Sequence, residues 1–386
     1  MSILSFRRAV SVLLFLFAFE CADLTAQSSP TDSVRFAFLP ALSFDSDLGF
    51  ITGGLANRYH YRENQPPFVT FTEAAFVIST KGLASGFVSI DKPNAWGSKF
   101  RVSAEVYGSR FLQDNFFGIG NYEVVDEPPS GQPDFYNFQS FSVGGQIGAR
   151  YPFYQAVTGI RRFDATFGLR VDYETPWDNG TGRILVEEQP TGFTGGTSSL
   201  LTGGFLWEGR DSEFRPQYGT YTEVSAGIGG AATGSSFQMF LLEADMRGYT
   251  SFHFIRTITF ANRLLFSHTS GDVPYWQLGS LGGSESLRGY TVNRFMDDNA
   301  ILLNTELRTW LFKVPSINAE YGGNIFFDIG RSFPNGESLP DIYNDLKYTF
   351  GIGGTSSYFT PDFVLRVDVG FSDEGTGFYL TAGYAF

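Results

Sequence analysis

From about residue 34 to the last residue, the chain alternates between apolar and polar positions with a period of two. The stretch 163–173 shows the pattern well. One face carries Phe163, Ala165, Phe167, Leu169, Val171 and Tyr173, and the other carries Arg162, Asp164, Thr166, Gly168, Arg170, Asp172 and Glu174. Successive side chains of a β-strand point to opposite faces, so this period predicts strands throughout. The pattern therefore indicates an all-β protein.

The alternating segments are about ten residues long, whereas strands of soluble proteins average about five or six. Tilted membrane-spanning strands need roughly 9 to 11 residues. The apolar face would then meet lipid and the polar face would line a lumen. Because hydrocarbon leaves no partner for an open sheet edge, such a sheet has to close. We predict a transmembrane antiparallel β-barrel; a secreted all-β repeat protein is the alternative.

About sixteen segments can be counted, an even number as in bacterial barrels. They lie near residues 34–44, 48–61, 66–79, 82–92, 98–111, 135–151, 161–175, 197–210, 217–230, 235–250, 256–269, 298–312, 318–332, 344–357, 361–371 and 376–386. The long connections, near 112–134, 176–196, 270–297 and 333–343, all follow odd-numbered strands. Outer-membrane barrels have short periplasmic turns and longer external loops. Both termini are therefore expected in the periplasm, and the loop after strand eleven outside.

The first 26 residues are expected to be a cleaved signal peptide. Arg7 and Arg8 precede the apolar run 9–19, and Ala26 offers a small residue for cleavage. A membrane anchor is the alternative, but the run is shorter than the roughly 20 residues that a helix needs to span. The expected organisation is a signal peptide (1–26), a short periplasmic leader (27–33) and a barrel (34–386).

Composition narrows the possible functions. The net charge is -13, which argues against a nucleic-acid partner. One cysteine excludes a disulfide framework, and three histidines leave little for a metal site. In strand phase His60 and His253 fall at the periplasmic end and His268 on the lipid face, so no base meets a nucleophile. We expect neither an enzyme nor a cofactor.

The alternation stops in the glycine-rich stretch Leu281–Asn299, which contains the tetrad Leu287-Arg288-Gly289-Tyr290. A mobile surface loop is one interpretation. The other is a loop that folds into the lumen and docks through Arg288. Glu306 and Asp328 point inward by strand phase on the next two strands, and a bidentate arginine–carboxylate contact would pin such a loop.

Other charged residues also point inward by phase, and most are expected to form a solvated pore wall. They are Arg101, Glu105, Asp164, Arg170, Asp172, Glu223, Glu243, Asp245, Arg247, Arg263, Arg308, Arg366 and Asp368. The last residue, Phe386, is expected to face lipid at the end of the final strand.

Four motifs occur in order along the chain: Phe116-Phe117-Gly118-Ile119-Gly120-Asn121, the turn from Arg210-Asp211 to Pro216 and Gly219, Leu287-Arg288-Gly289-Tyr290, and Phe326-Phe327-Asp328-Ile329-Gly330. Together they resemble the F-x-G-x-G-N, R-D…P-x-x-G, [VIL]-R-G-[FY] and F-x-D-x-G motifs of the BamA/TamA superfamily, the bacterial surface antigens.

The resemblance implies that Arg288 enters the lumen of a sixteen-stranded barrel and pairs with Asp328, with Glu306 in reach. It also implies a weak seam between the first and last strands and a role in inserting or exporting β-rich proteins. Separately, the final aromatic strand resembles the assembly signal of outer-membrane barrels, so Phe386 is expected to serve as that signal as well as to face lipid. Family members usually carry periplasmic polypeptide-transport-associated domains, and about seven residues after Ala26 leave no room for one.

The expected function is therefore assembly or translocation of proteins or lipids at the outer membrane of a Gram-negative bacterium. The expected partners are outer-membrane lipid, a separate periplasmic or lipoprotein component and an unfolded β-rich protein. A passive porin-like channel with an acidic lumen is the alternative. A third interpretation is a structural antigen without a transport role.

Overall fold

The computed structural model describes residues 32–62, 68–120, 135–157, 160–176, 183–358 and 364–386. Sixteen strands form a closed antiparallel barrel. They are β1 (Asp32–Asp45), β2 (Gly49–Arg62), β3 (Thr70–Ser79), β4 (Leu83–Lys92), β5 (Arg101–Asn115), β6 (Asn137–Gln155), β7 (Arg162–Pro176), β8 (Gly196–Glu208), β9 (Gly219–Gly229), β10 (Met239–His253), β11 (Thr257–Gly271), β14 (Asn299–Val314), β15 (Ala319–Phe333), β16 (Lys347–Tyr358), β17 (Val364–Phe371) and β18 (Thr376–Ala382).

Residues 272–298, between β11 and β14, form the central loop. It contains a two-stranded sheet of its own, β12 (Gly279–Leu281) with β13 (Phe295–Asp297). Two short helices lie in other connections, α1 (Arg183–Glu188) and α2 (Leu339–Asn344). Among the described residues, no helix is long and apolar enough to cross a membrane.

The predicted all-β barrel and its strand count are confirmed. Most predicted strand ends lie within a few residues of the observed ones, although β1 already begins at Asp32, inside the predicted leader. At the end of the chain, β18 stops at Ala382 rather than at residue 386. The predicted signal peptide and the rest of the leader lie outside the described residues.

Side chains alternate between the two faces of the wall, as the period of two requires. Along β17, burial alternates residue by residue. On β16, Phe350 and Ile352 are 62% and 60% exposed on the outer face, while Thr349 is fully buried. The outer face is therefore apolar, and the polar positions point inward.

The two ends of the barrel differ. One end, here the short-turn end, carries turns such as 254–256 and 315–318, and the other, the long-loop end, carries the central loop. At the long-loop end, four connections contribute to one apolar cluster, the dome, which is made of Phe116, Phe138, Leu185, Leu200, Phe237, Met239, Val273, Tyr275, Trp276, Leu278 and Met296. Its rings pack edge to face, with Tyr275 and Trp276 5.0 Å apart.

The barrel closes through a short junction between β1 and β18, here the seam. Within the described chain its ladder has two pairs, Phe44 with Leu380 and Asp45 with Tyr379, and Ser46 N–H donates to the Phe378 main-chain oxygen at 3.1 Å just beyond them. By comparison, β17 and β18 pair from Leu365 with Ala382 to Phe371 with Thr376. Since each ladder pair adds hydrogen bonds, the seam is the weakest junction of the wall.

Candidate functional site

The central loop carries Arg288 into a cluster of three carboxylates on the inner wall. Arg288 is fully buried, and its Nε and Nη2 donate to the two oxygens of Asp328, each at 2.8 Å. Its Nη1 donates to Glu306 at 2.5 Å and to Asp368 at 3.2 Å. These carboxylates come from β14, β15 and β17, so one loop side chain joins three strands. We call this cluster the lock.

The carboxylates of the lock have further partners. Arg308 Nε donates to Glu306 at 2.7 Å, and Arg366 Nε lies 3.0 Å from Asp368. Asn304 donates its side-chain amide both to Asp328 and to the main-chain oxygen of Ser286 in the loop. With Arg288, Arg308 and Arg366 facing three carboxylates, the buried charges balance. Balance matters because an unpaired buried charge is strongly destabilising.

Arg288 is held electrostatically as well as by geometry. Burial by itself lowers the pKa of its guanidinium, but Asp328 and Glu306 outweigh this and hold that pKa well above its usual range. The guanidinium carbon also lies 3.5 Å from the ring centre of Phe326, a cation–π contact. Arg288 therefore stays charged and oriented.

The residue after the arginine has a steric reason to be glycine. Gly289 has φ +115°, a conformation that other residues rarely adopt. A Cβ there would lie 3.0 to 3.1 Å from main-chain atoms of Gly370 and Phe371. The loop thus approaches the end of β17 so closely that a side chain does not fit without movement.

The central loop also spans the seam. On the β18 side, the Tyr379 hydroxyl accepts from Gly289 N–H at 3.0 Å, and the Tyr290 hydroxyl donates to Asp373 at 2.5 Å. On the β1 side, Asp47 in the turn after β1 accepts from Val292 N–H at 2.9 Å. Residues 289–294 therefore connect both sides of the weakest junction, and we call them the strap.

An ion pair completes the strap. Arg294, 2% exposed, donates from Nε and Nη2 to the two oxygens of Glu374 at 2.6 and 2.5 Å. Two-point contacts of this kind are strong and directional. Burial and the hydrogen bond to Asp373 also raise the pKa of Tyr290, so its hydroxyl keeps the proton that it donates.

Asp47, which accepts a hydrogen bond from the strap, is a titratable group on the β1 side of the seam. Burial raises its pKa to about 7, and the nearby charge of Asp45 acts in the same direction. Lys81 and the hydrogen bond from Val292 act in the opposite direction without cancelling the effect. The β1 side of the strap can therefore change charge near neutral pH.

The prediction that Phe386 faces lipid is wrong. After Ala382 the chain turns inward at Gly383, whose φ is +78°. Phe386 is 4% exposed in a cluster with Tyr249, Ala261 and Ala385. Its main-chain oxygen accepts from Arg308 Nη2 at 3.2 Å, and its ring centre lies 4.7 Å from the same guanidinium. The glycine breaks the alternation that the prediction extended; use of Phe386 as an assembly signal remains a prediction.

The structure brings Arg288, Glu306 and Asp328 together, as the sequence suggested, and adds Asp368. Strand phase had turned Asp368 inward without linking it to the loop. The expectation of a solvated pore wall is wrong for several of the other inward charges, because they are buried in ion pairs. Arg247 donates to Asp245 at 2.5 Å, and Arg263 lies 3.0 Å from the same carboxylate.

Arg294 of the strap and the three carboxylates that the strap contacts, Asp47, Asp373 and Glu374, were missed altogether. They lie in irregular connections, where strand phase gives no direction. The signal available in the sequence was that Arg294 lies close to the motif residue Arg288 along the chain.

Comparison with known proteins agrees with the barrel fold. A model of the Omp85 superfamily domain matches residues 78–386. No curated protein sequence matches the chain significantly.

Solved structures show the same fold. BamA from Haemophilus ducreyi lacking POTRA domains 1-3 is 13% identical, with a TM-score of 0.59 over 92% of this chain and 70% of that one. CdiB from Acinetobacter baumannii is 13% identical, with a TM-score of 0.54 over 92% of this chain and 60% of that one. CdiB from Escherichia coli is 12% identical, with a TM-score of 0.58 over 93% and 63%.

This chain thus spans less than two thirds of the two CdiB chains. The family match covers most of the sequence and most of the closed barrel. The chain belongs to the Omp85 superfamily of outer-membrane protein-assembly and translocation barrels.

Proposed function

We propose that this barrel assists the assembly or translocation of β-rich proteins, or of lipids, at the outer membrane of a Gram-negative bacterium, and that it acts by opening its seam. The observation that carries the proposal is the strap, which bonds to Asp47 on one side of the seam and to Asp373 and Glu374 on the other. The lock holds the base of that strap. Release of Arg288 would then free the seam.

The edge exposed by opening belongs to β1. This strand pairs with β2 along its whole length, from Asp32 with Arg62 to Asp45 with Gly49, but meets β18 only at its end. Unpaired main-chain groups on a strand edge can pair with another chain. An incoming β-strand could therefore add to β1 by main-chain hydrogen bonds. This mechanism needs no catalytic residue, and we propose that the protein is not an enzyme.

A passive channel is less well supported. The dome fills much of the long-loop end with apolar side chains, and the lock places a loop against the inner wall. A lumen cavity of about 630 Å³ remains. Five arginines and six carboxylates among the described residues line it, which is too even a balance to favour cations strongly.

We infer that a separate periplasmic or lipoprotein component delivers the substrate. Two comparisons support this inference. BamA has POTRA domains, of which the compared structure lacks domains 1-3, and this chain spans less than two thirds of each compared CdiB chain. Cross-linking in the native membrane, followed by purification of the barrel, should recover that component. If only lipid is recovered, the inference that a separate component delivers the substrate is wrong.

The seam can be tested with a disulfide. The sequence has one cysteine, Cys21, within the predicted signal peptide. Phe44 and Leu380 are partners across the seam, whereas Ile352 and Val369 are partners across an ordinary junction. Cysteines at 44 and 380 should block the activity until they are reduced, and cysteines at 352 and 369 should not affect it.

The activity to follow is the folding of a urea-unfolded outer-membrane barrel into vesicles that contain this protein, compared with empty vesicles. The proposal expects faster folding with the unmodified protein and with the control pair. If the protein instead gives a large steady conductance in planar bilayers and no effect on folding, the porin-like alternative is correct. If the folding rate is the same with the disulfide across the seam oxidised and reduced, the assembly activity does not require the seam to open.

A further inference from the structure

The turns at the short-turn end share a composition that the lock and strap do not explain. In four of them a large apolar side chain is exposed at the tip: Trp96 (83%), Val157 (102%), Phe254 (74%) and Ile317 (54%). These turns join β4 to β5, β6 to β7, β10 to β11 and β14 to β15. Exposed apolar tips are costly in water, so the turns are suited to a less polar environment.

Each of the four turns also carries an exposed cation. These are Lys92 and Lys99, Arg161, Arg256 and Lys313. Arg62, at the end of β2, is exposed at the same end. Carboxylates exposed in the described short turns, Asp211 and Glu213, both lie in the turn between β8 and β9. The four turns are thus basic and apolar together.

The opposite end is mainly acidic, although the exposed Lys81 lies there in the turn between β3 and β4. Exposed side chains of the long-loop end include the carboxylates Glu187, Glu188, Asp272 and Asp341. In a chain with a net charge of -13, exposed cations are therefore concentrated at one end of the barrel.

An aromatic band shows where the membrane boundary lies relative to these turns. Phe100 and Tyr151 lie 5.1 Å apart, and the contacts continue through Phe153 and Phe163 to Phe205. Bands of aromatic residues mark the membrane–water interface of such barrels. This band lies at the base of the short turns, so the cations beyond it are at the depth of lipid headgroups.

We propose that these four turns form a ring that binds anionic phospholipid headgroups in the membrane leaflet at the short-turn end. The apolar tips insert beside the headgroups, and the lysines and arginines bind their phosphates. Because the turns extend from β4 to β15 around the wall, a surrounding lipid annulus contacts all of them, which a small protein on one patch would not. The inference holds whether or not the barrel assembles proteins.

The test uses the full chain in vesicles of phosphatidylcholine with phosphatidylglycerol. Electron paramagnetic resonance of spin-labelled lipids reports which lipid is immobilised at the protein surface. Labelled phosphatidylglycerol should bind more tightly than labelled phosphatidylcholine, by up to about fivefold for a headgroup held by one cation. The preference should fall at high salt.

Two variants separate a local site from total charge. Replacing Lys92, Lys99, Arg161 and Arg256 with glutamine leaves Lys313, whose charge is offset by Glu320 3.6 Å away, and should bring the ratio to about one. The control replaces the four long-loop carboxylates (Glu187→Gln, Glu188→Gln, Asp272→Asn and Asp341→Asn) and should leave the ratio unchanged.

An equal affinity for the two lipids in the unmodified protein would overturn the proposal, as would a preference that survives the four glutamines. Cross-linking from Lys92 or Lys99 to an acidic protein in the native membrane, with no lipid preference, would also overturn it and assign the surface to a protein partner.

Discussion

Arg288 and Asp328, forty residues apart in sequence, are joined by two parallel hydrogen bonds of 2.8 Å inside the barrel. The guanidinium group presents two donors in a fixed plane, and the carboxylate accepts both. A lysine has no such fork. The pair therefore specifies the position of the loop as well as its attachment.

Replacing Arg288 with alanine should lower the free energy of unfolding by about 3–5 kcal/mol, because three buried carboxylates lose their shared cation. Arg288→Lys should recover part of the loss, since it restores the charge without the fork. Denaturant unfolding in detergent measures both. Arg256→Ala, at an exposed turn, is the control and should stay within about 0.5 kcal/mol of the unmodified protein. Equal stability of the Arg288→Ala and Arg256→Ala proteins would contradict the lock.

Replacing Asp328 with alanine should free the central loop as Arg288→Ala does. The two changes should also be strongly non-additive, because each removes the same contacts. Limited proteolysis within the loop is the measurement. Asp368→Asn is the comparison and should have the smaller effect, since Asp368 receives one bond of 3.2 Å from Arg288. Additive effects of the two alanines would show that the residues act independently.

Gly289→Ala should displace the strap, because other residues rarely adopt its φ of +115° and a Cβ would lie 3.0 to 3.1 Å from main-chain atoms of Gly370 and Phe371. Backbone strain of this kind costs about 1–3 kcal/mol. Gly354→Ala is the matched control, since nothing lies within 4 Å of its Cβ position. Hydrogen exchange of the loop amides should rise in the first variant only. Unchanged protection in Gly289→Ala would mean that the loop adapts.

Strap docking should weaken as the pH rises through about 7, the raised pKa of Asp47. The folded-state pKa of Asp47 lies above the ordinary value of an aspartate, so protonation favours the docked state. That contribution is complete below the unfolded pKa and is lost as the carboxyl ionises. The mobility of a spin label at Asn293 should increase between about pH 6 and about pH 8. Asp47→Asn should abolish the change; a pH response that persists in this variant would assign it to another group.

The period of two was sufficient to predict the barrel, because strand geometry imposes this alternation on every strand that has one face toward lipid and one toward the lumen. It also placed Glu306 and Asp328 on the inner face. It could not show that Asp368 reaches Arg288, which depends on the register of β15, β16 and β17. The inward turn at Gly383 was missed because glycine fits an alternating strand as well as a bend.

The dome and the strap are built largely from the connections between strands. A connection has no regular alternation of polar and apolar residues from which the direction of its side chains can be predicted. Arg294 with Glu374 is a contact between two loops eighty residues apart in sequence. Its formation requires the whole barrel to bring β11 and β18 to their places. Contacts of this kind follow from closure of the sheet and are not encoded locally.

We propose that Arg288 keeps the seam closed, and a distance measured across the seam decides whether it does. Spin labels at Phe50 on β2 and Ile352 on β16 lie on exposed positions either side of the junction. Pulsed electron paramagnetic resonance should give one narrow distribution for the unmodified barrel and a broader, longer one for Arg288→Ala. Labels at Val106 and Phe167, away from the seam, should not change. Identical distributions across the seam in the two proteins would contradict the account.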